Sequence, residues 1–229
     1  MEAHGLIREQ PLRHAAREPR WLVALRRVFD LVIAIAMIVL LAPLLIAVAI
    51  AVRLDSRGPA LFRQRRVGHL ERQFTLFKFR SMRVDADPRG HREYVTALIK
   101  DEGRAGHGGR EDLYKLAVDD RITPIGRWIR RWSIDELPQL FNVVAGSMTL
   151  VGPRPAIPYE VAEYPTWYLE RFSVKPGLTG FWQVSGRCER TYEEMVRLDI
   201  EYAKRRSLAL DLSILLKTPL AVLGRKGAA

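Results

Sequence analysis

LVIAIAMIVLLAPLLIAVAIAV, Leu31 to Val52, runs for 22 residues without a charged or hydrogen-bonding side chain. As a helix it reaches roughly 33 Å, the thickness of a bilayer's hydrocarbon core, so a membrane segment is expected here. The run is long and starts late for a cleaved signal peptide, and Arg53 and Arg57 follow it instead of a small-residue cleavage site. The segment is therefore expected to stay on the protein. Its flanks are both basic: Arg17, Arg20, Arg26 and Arg27 precede it, and Arg53, Arg57, Arg63, Arg65 and Arg66 follow. Positive flanks stay cytoplasmic, which draws both ends to one side. Pro43, near the middle, removes a backbone donor and bends a helix. These features leave two readings: a re-entrant hairpin that dips into one leaflet and returns, kinked at Pro43, and an ordinary spanning helix with a mild proline kink.

Around this segment, 229 residues suffice for one domain with a real core. A chain that is 48% hydrophobic and 28% charged is not a disordered one. The single cysteine, Cys188, cannot form an internal disulfide or a multi-cysteine zinc site, which suits a reducing, cytosol-facing location. The five histidines, at 4, 14, 69, 91 and 107, show no metal-binding spacing. A formal charge of +11 calls for an anionic partner: nucleic acid, lipid head groups or phosphorylated substrates.

Strand-like material is short. Ala60 to Gln64 and Gln73 to Phe79 read as strands of one small sheet, the second half-buried by its alternation. Asp85 to Asp112, rich in glycine, reads as an excursion around a short helix at Arg92 to Lys100. Thr123-Pro124 is an N-cap followed by a proline at the first helical position, opening a helix through Trp132. Trp128 and Trp132 share a face flanked by Arg127, Arg130 and Arg131, which suits a membrane-interface helix and equally an amphipathic core helix. Thr191-x-x-Glu194 is a capping box, and on the helix it opens Tyr192, Met195, Val196, Asp199 and Ala203 share one face. An acid, Asp199, is thereby expected inside. Leu208 to Leu223 is apolar enough to lie on a membrane or to pack on the domain. The fold class expected is α+β, mainly helical with a small β-sheet, carrying a membrane segment.

Four clusters could carry chemistry. In Ser133-Ile134-Asp135-Glu136-Leu137-Pro138, adjacent carboxylates could serve as nucleophile and metal ligand, while spacing alone favours Asp135 as the cap of a helix starting at Glu136. A helix start beside Arg130 suits phosphate oxygens as well. In Leu150-Val151-Gly152-Pro153-Arg154-Pro155, two prolines stiffen a turn that presents an arginine, either to phosphate or to a nearby acid. The glycines of Pro176-Gly177-Leu178-Thr179-Gly180 allow close backbone approach to a ligand or simply make turns. Lys78 and Arg80 are phosphate ligands or a strand-end charge pair.

Taken in order, KFRSM at Lys78, DDRITPIG at Asp119, SIDELPQLFNVVAGSM at Ser133, LVGPRP at Leu150, PGLTGFWQVSGR at Pro176 and LDIEYA at Leu198 closely resemble the bacterial sugar transferases of the small monotopic phosphoglycosyl transferase family. The resemblance covers roughly Arg26 to Leu223. Ala42-Pro43 stands where members often carry Ser-Pro, and the glycine-rich residues 101–110 are a local elaboration. The resemblance implies transfer of a sugar 1-phosphate from a UDP-sugar to polyprenyl (undecaprenyl) phosphate, with release of UMP, as the first membrane step of exopolysaccharide, capsule or O-antigen synthesis. It implies Asp135 as nucleophile, through a covalent aspartyl-phosphosugar, and Glu136 as the ligand of Mg²⁺. Lys78, Arg80, Arg130, Arg154 and Arg187 are implied as phosphate-binding, and Asp199 as a supporting acid.

It also turns the membrane reading toward the re-entrant hairpin, with residues 1–27 a basic extension, 28–52 the re-entrant helix, and 53–229 a catalytic domain on the cytoplasmic face of the bacterial inner membrane. A homo-oligomer stays open, and a nucleic-acid partner is not expected, since no recognisable module is present. The competing class is a non-catalytic basic scaffold anchored to the membrane. It accounts for the apolar run and the charge, and leaves the acidic pair and the separate basic motifs without a reason.

Overall fold

The structure, a computed structural model, describes residues 19–84, 87, 89–100, 121–186 and 191–224. Its first element is α1 (Arg20–Asp55), which contains the whole apolar run and Pro43. The run expected as a re-entrant hairpin kinked at Pro43 is a single helical element with Pro43 inside it. A proline deletes a single hydrogen bond of the ladder, and the turns on either side carry the helix through it. Pro43 falls where α1 passes from one core to another. Ala34, Met37 and Ile38 pack with Leu140, Val143, Met148 and Ile214. Leu44, Val48 and Val52 pack with Phe79 and Ile129.

The opposite face of α1 is bare: Val32, Val39, Leu40, Ile46 and Leu54 are all exposed. Only 11% of its most apolar window is buried inside the protein, which sets it apart from the core helix of a soluble domain. Both ends are nevertheless tied to the same domain. At the N-terminal end Arg27 donates to the carbonyls of Val143 (2.6 Å) and Val144 (2.8 Å), the Asp30 carboxylate accepts from the Leu150 N–H (3.2 Å), and Arg26 pairs with Asp211. At the C-terminal end Asp55 accepts from the Ile125 N–H (3.2 Å).

Beyond α1, β1 (Leu61–Val67) and β2 (Gln73–Phe79) form an antiparallel pair in the register Phe62 opposite Lys78 and Arg66 opposite Phe74. α2 (Arg89–Lys100) is the short helix expected within the excursion; residues 101–120 lie outside the described residues. α3 (Pro124–Arg131) opens as its sequence requires, with Thr123 Oγ1 accepting from the Gly126 N–H at 3.0 Å. α4 (Gln139–Ala145) ends at Gly146, whose φ of 83° is a left-handed stop. β3 (Thr149–Val151) pairs in parallel with β4 (Gly177–Thr179), so the strands make two separate two-stranded sheets.

α5 (Pro158–Ala162) and a 3₁₀ stretch (Thr166–Ser173) connect the two, followed by α6 (Phe181–Val184), α7 (Tyr192–Arg205) and α8 (Leu208–Leu223). The Thr191–Glu194 capping box forms as expected. Tyr164, Tyr168, Phe172, Met195 and Val196 fill a third core between the 3₁₀ stretch and α7. α8 packs on the domain through one face. Ile214 and Asp211 pack inward, and Leu212, Leu216, Leu220 and Leu223 stand outward as an apolar stripe.

Candidate active site

The acidic pair does not cap a helix. Ser133 takes a left-handed conformation (φ 54°), rare for a residue with a side chain, and starts a single 3₁₀ turn, Ile134–Glu136. α4 begins only afterwards, with Pro138 at its N-cap position. The tight turn drives Asp135 inward, where it is 9% exposed, and leaves Glu136 half-buried at the rim. Backbone kept in a sparsely populated region directly before a buried acid is strain of the kind that collects at functional sites.

Lys78, on β2, reaches across and donates from Nζ to Glu136 Oε1 at 3.0 Å. The junction between β2 and α4 is set by Asn142, 2% exposed, whose side chain imitates a strand: Oδ1 accepts from the Phe77 N–H (3.0 Å) and Nδ2 donates to the Thr75 carbonyl (2.7 Å). Lys78 is thereby held in register with the acid pair. Burial pushes the Asp135 carboxyl up to about 6, against the pull of Lys78; the neighbouring Glu136 charge adds to the rise, and Arg130 opposes it. Asp135 is therefore ionised at neutral pH and poorly solvated, as a nucleophile needs to be.

Arg154 sits in the Gly152–Pro155 turn, which is possible because glycines meet backbone to backbone: a Cβ at Gly177 would lie 2.0 Å from the Gly152 nitrogen. The close approach permitted by the Pro176–Gly180 segment is thus to this turn. Arg66, which the sequence reading missed, is buried beneath it, donating to the Pro155 carbonyl at 2.9 Å and to the Gln64 amide oxygen. Burial, and then the Arg154 charge, lower its pKa to about 10, so it stays cationic, and it feels the field of Glu136 as well as that of Glu160. Basic strand residues give no local sign of facing inward, so only the β1–β2 register finds it.

One expectation needs correction. Arg80 is not a phosphate ligand: its buried guanidinium closes the end of α1, donating to the carbonyls of Val52 (3.2 Å), Ser56 (2.7 Å) and Arg57. The last carbonyls of a helix need donors, and Arg80 emerges from β2 beside them. Asp199 lies behind the site, fully buried against Arg171. Arg187 is outside the described residues. The structure thus gathers Lys78, Arg130, Asp135 and Glu136, with Arg66 linking them electrostatically to Arg154.

Among the described residues no three histidine, cysteine, aspartate or glutamate side chains come together to hold a metal ion. The acid pair offers two carboxylates, a donor set of the kind that can hold Mg²⁺ together with substrate phosphates.

An acidic pair, Asp135 buried and Glu136 at the rim, with lysine and arginine around it, lies on an α+β scaffold whose long bare apolar helix is of the kind that anchors a protein to a membrane. The chain belongs to the bacterial sugar transferase family, whose model matches residues 21–225. It is 45% identical over 204 residues to the "UDP-galactose-lipid carrier transferase" of Erwinia amylovora, covering 89% of this chain and 41% of that protein. It is 41% identical over 204 residues to the "Undecaprenyl-phosphate galactose phosphotransferase" of Salmonella typhimurium, with the same coverage of 89% and 41%. The chain thus spans about two fifths of those relatives. It is also 36% identical to the "Exopolysaccharide production protein ExoY" of Sinorhizobium fredii, covering 89% of this chain and 87% of that protein.

Proposed function

We propose that this chain transfers a sugar 1-phosphate from a UDP-sugar to polyprenyl phosphate at the cytoplasmic face of the bacterial inner membrane, opening the synthesis of an exopolysaccharide, capsule or O-antigen unit. A carboxylate oxygen of Asp135 attacks the β-phosphorus of the donor. The bond from that phosphorus to the bridging oxygen breaks, UMP leaves with the electron pair, and an aspartyl-phosphosugar remains. A phosphate oxygen of the polyprenyl phosphate then attacks the same phosphorus, releasing Asp135 and forming the polyprenyl diphosphate sugar. Lys78, Arg130 and Arg154 neutralise the phosphate charge that such a transfer concentrates. Glu136, with Asp135, is the place for Mg²⁺, which would supply further charge neutralisation on the diphosphate. The observation that carries this reading is Asp135 buried on its strained turn beside Glu136, which Lys78 contacts. The names of the relatives agree with the acceptor and the reaction class.

The test is UMP release by the purified protein in nanodiscs, from a panel of UDP-sugars with polyprenyl phosphate and Mg²⁺. Release with one donor, ping-pong kinetics and a labelled protein intermediate before acceptor is added are expected. A folded protein that releases no UMP from any donor sinks the reading and returns the scaffold.

The same reading makes α1 re-entrant, in the sense that the chain enters and leaves on one face. Its two ends are bonded to one domain, through Arg27 and Asp30 at one end and Asp55 at the other. A helix crossing the bilayer would put one of those ends on the far side. The bare face of α1, exposed Trp128 and the leucine stripe of α8 supply apolar surface for the membrane. Cysteines introduced at Trp21 and at Leu54 in the cysteine-free Cys188→Ser protein should both be labelled by an impermeant maleimide only when the cytoplasmic side is opened. Labelling of either from the periplasm overturns the topology.

A further inference from the structure

We propose that Arg171 and Asp199 act as a pair of positioning residues for the catalytic turn, fixing the main chain of Arg154 so that its guanidinium is ordered before the donor binds. The proposal rests on the reading of Arg154 as a phosphate ligand. Arg171 and Asp199 are 1% and 0% exposed, and their charged ends pair with each other. Arg171 Nη2 also donates to the Arg154 carbonyl at 3.1 Å, and the Arg154 backbone lowers the energy of the Asp199 carboxylate charge. Arg171 Nη1 is held in turn by the Tyr164 hydroxyl at 3.0 Å, which bonds the Tyr192 hydroxyl.

The turn is gripped along its length. The Pro153 carbonyl accepts from the Gly177 N–H (2.9 Å), that of Arg154 from Arg171, that of Pro155 from Arg66 (2.9 Å), and that of Ala156 from the Val67 N–H (2.8 Å). Four successive carbonyls are thus held from β4, the 3₁₀ stretch and β1. Of these bonds, only those to Arg154 come from an ion pair. A buried ion pair is about as stable as well-packed apolar residues of the same volume, so stability alone gives no reason for one at this position. Rigid presentation of a charged group does give a reason. Each peptide plane fixed beforehand spares the ordering cost at binding, and a misplacement of about 1 Å can cost up to roughly 100-fold in rate.

The test is a double-mutant cycle on UMP release by the full chain in nanodiscs, with unfolding followed in parallel. Arg171→Lys keeps a charge for Asp199 and gives up the planar fork that serves Asp199 and Arg154 together. The paired replacement Arg171→Met with Asp199→Leu removes both charges and leaves no unpaired ion, which guards against a variant that fails to fold. Each is expected to raise the donor KM about tenfold or more in the natural background, to leave the acceptor KM within about twofold, and to have no further effect once Arg154 is alanine. An equal loss with and without Arg154, or no loss in either, overturns the positioning role. If Arg154→Ala by itself leaves the donor kcat/KM unchanged, the phosphate reading of Arg154 fails, and the proposal built on it falls for that separate reason.

Discussion

Asp135→Asn is expected to abolish turnover, by roughly 10³-fold or more, and at the same time to raise the stability of the fold. The first half follows from its place as the attacking group, because an amide forms no acyl phosphate and the remaining lysine and arginine groups only bind. The second half follows from burial. The Asp135 carboxyl titrates near 6 in the folded chain against an ordinary 3.8, so the folded state holds its proton more tightly than the unfolded one. Stability is therefore lost as pH rises from about 4 to about 6, and above that the deficit is constant at up to about 3 kcal/mol. The asparagine variant does not carry this cost. Its midpoint should match the natural chain at pH 4 and exceed it by several degrees at pH 7.5. Thermal unfolding at the two pH values, with UMP release alongside, checks both halves; retained turnover, or a lower midpoint at pH 7.5, contradicts the assignment.

The second large effect is expected far from the acid pair. Asp211→Ala should destabilise the protein by about 1–3 kcal/mol, because it removes the carboxylate that pairs with buried Arg26 and accepts from the Tyr202 hydroxyl. Arg26 is 4% exposed and Asp211 9%, and Asp211 also accepts from the Tyr202 hydroxyl at 2.6 Å. That hydroxyl lies 3.0 Å from the Val151 carbonyl, in the strand that leads into the Arg154 turn. The loss should therefore loosen the N-terminal end of α1 and the turn together. Adding Arg26→Leu to the variant is expected to restore most of the stability, since the pair is then replaced by apolar groups. Unfolding in detergent measures both. A single variant as stable as the natural chain, or a double variant worse than the single one, contradicts this account of the anchor.

Much of the local structure is legible from neighbours in the chain. Thr123 before Pro124, and Thr191 with Glu194, set their helix starts through partners three residues away, and both form as the sequence requires. Alternation places β2 at Gln73–Phe79, and the apolar run becomes helix throughout. The acid pair, Lys78, Arg130 and Arg154 are legible as motifs because each carries a dense run of diagnostic residues. What each motif does was less so. Asp135 reads by spacing as a helix cap and is instead turned inward by the left-handed Ser133. Arg80, two residues after Lys78, reads as its twin and serves the end of α1.

The amino-acid sequence by itself determined the long apolar helix, the α+β class and the helix starts, because each is written in composition, period or partners within a few positions, while the candidate site residues stood out through the family resemblance of their motifs. Tertiary structure alone decided which charges serve the site and which serve the scaffold. Arg66 meets Pro155 across 89 positions, Asn142 meets Thr75 across 67, and Arg171 meets Asp199 across 28. A buried arginine must find an acceptor wherever the fold brings one, and that choice is made when distant segments pack, by the cost of leaving a charge unpaired away from water.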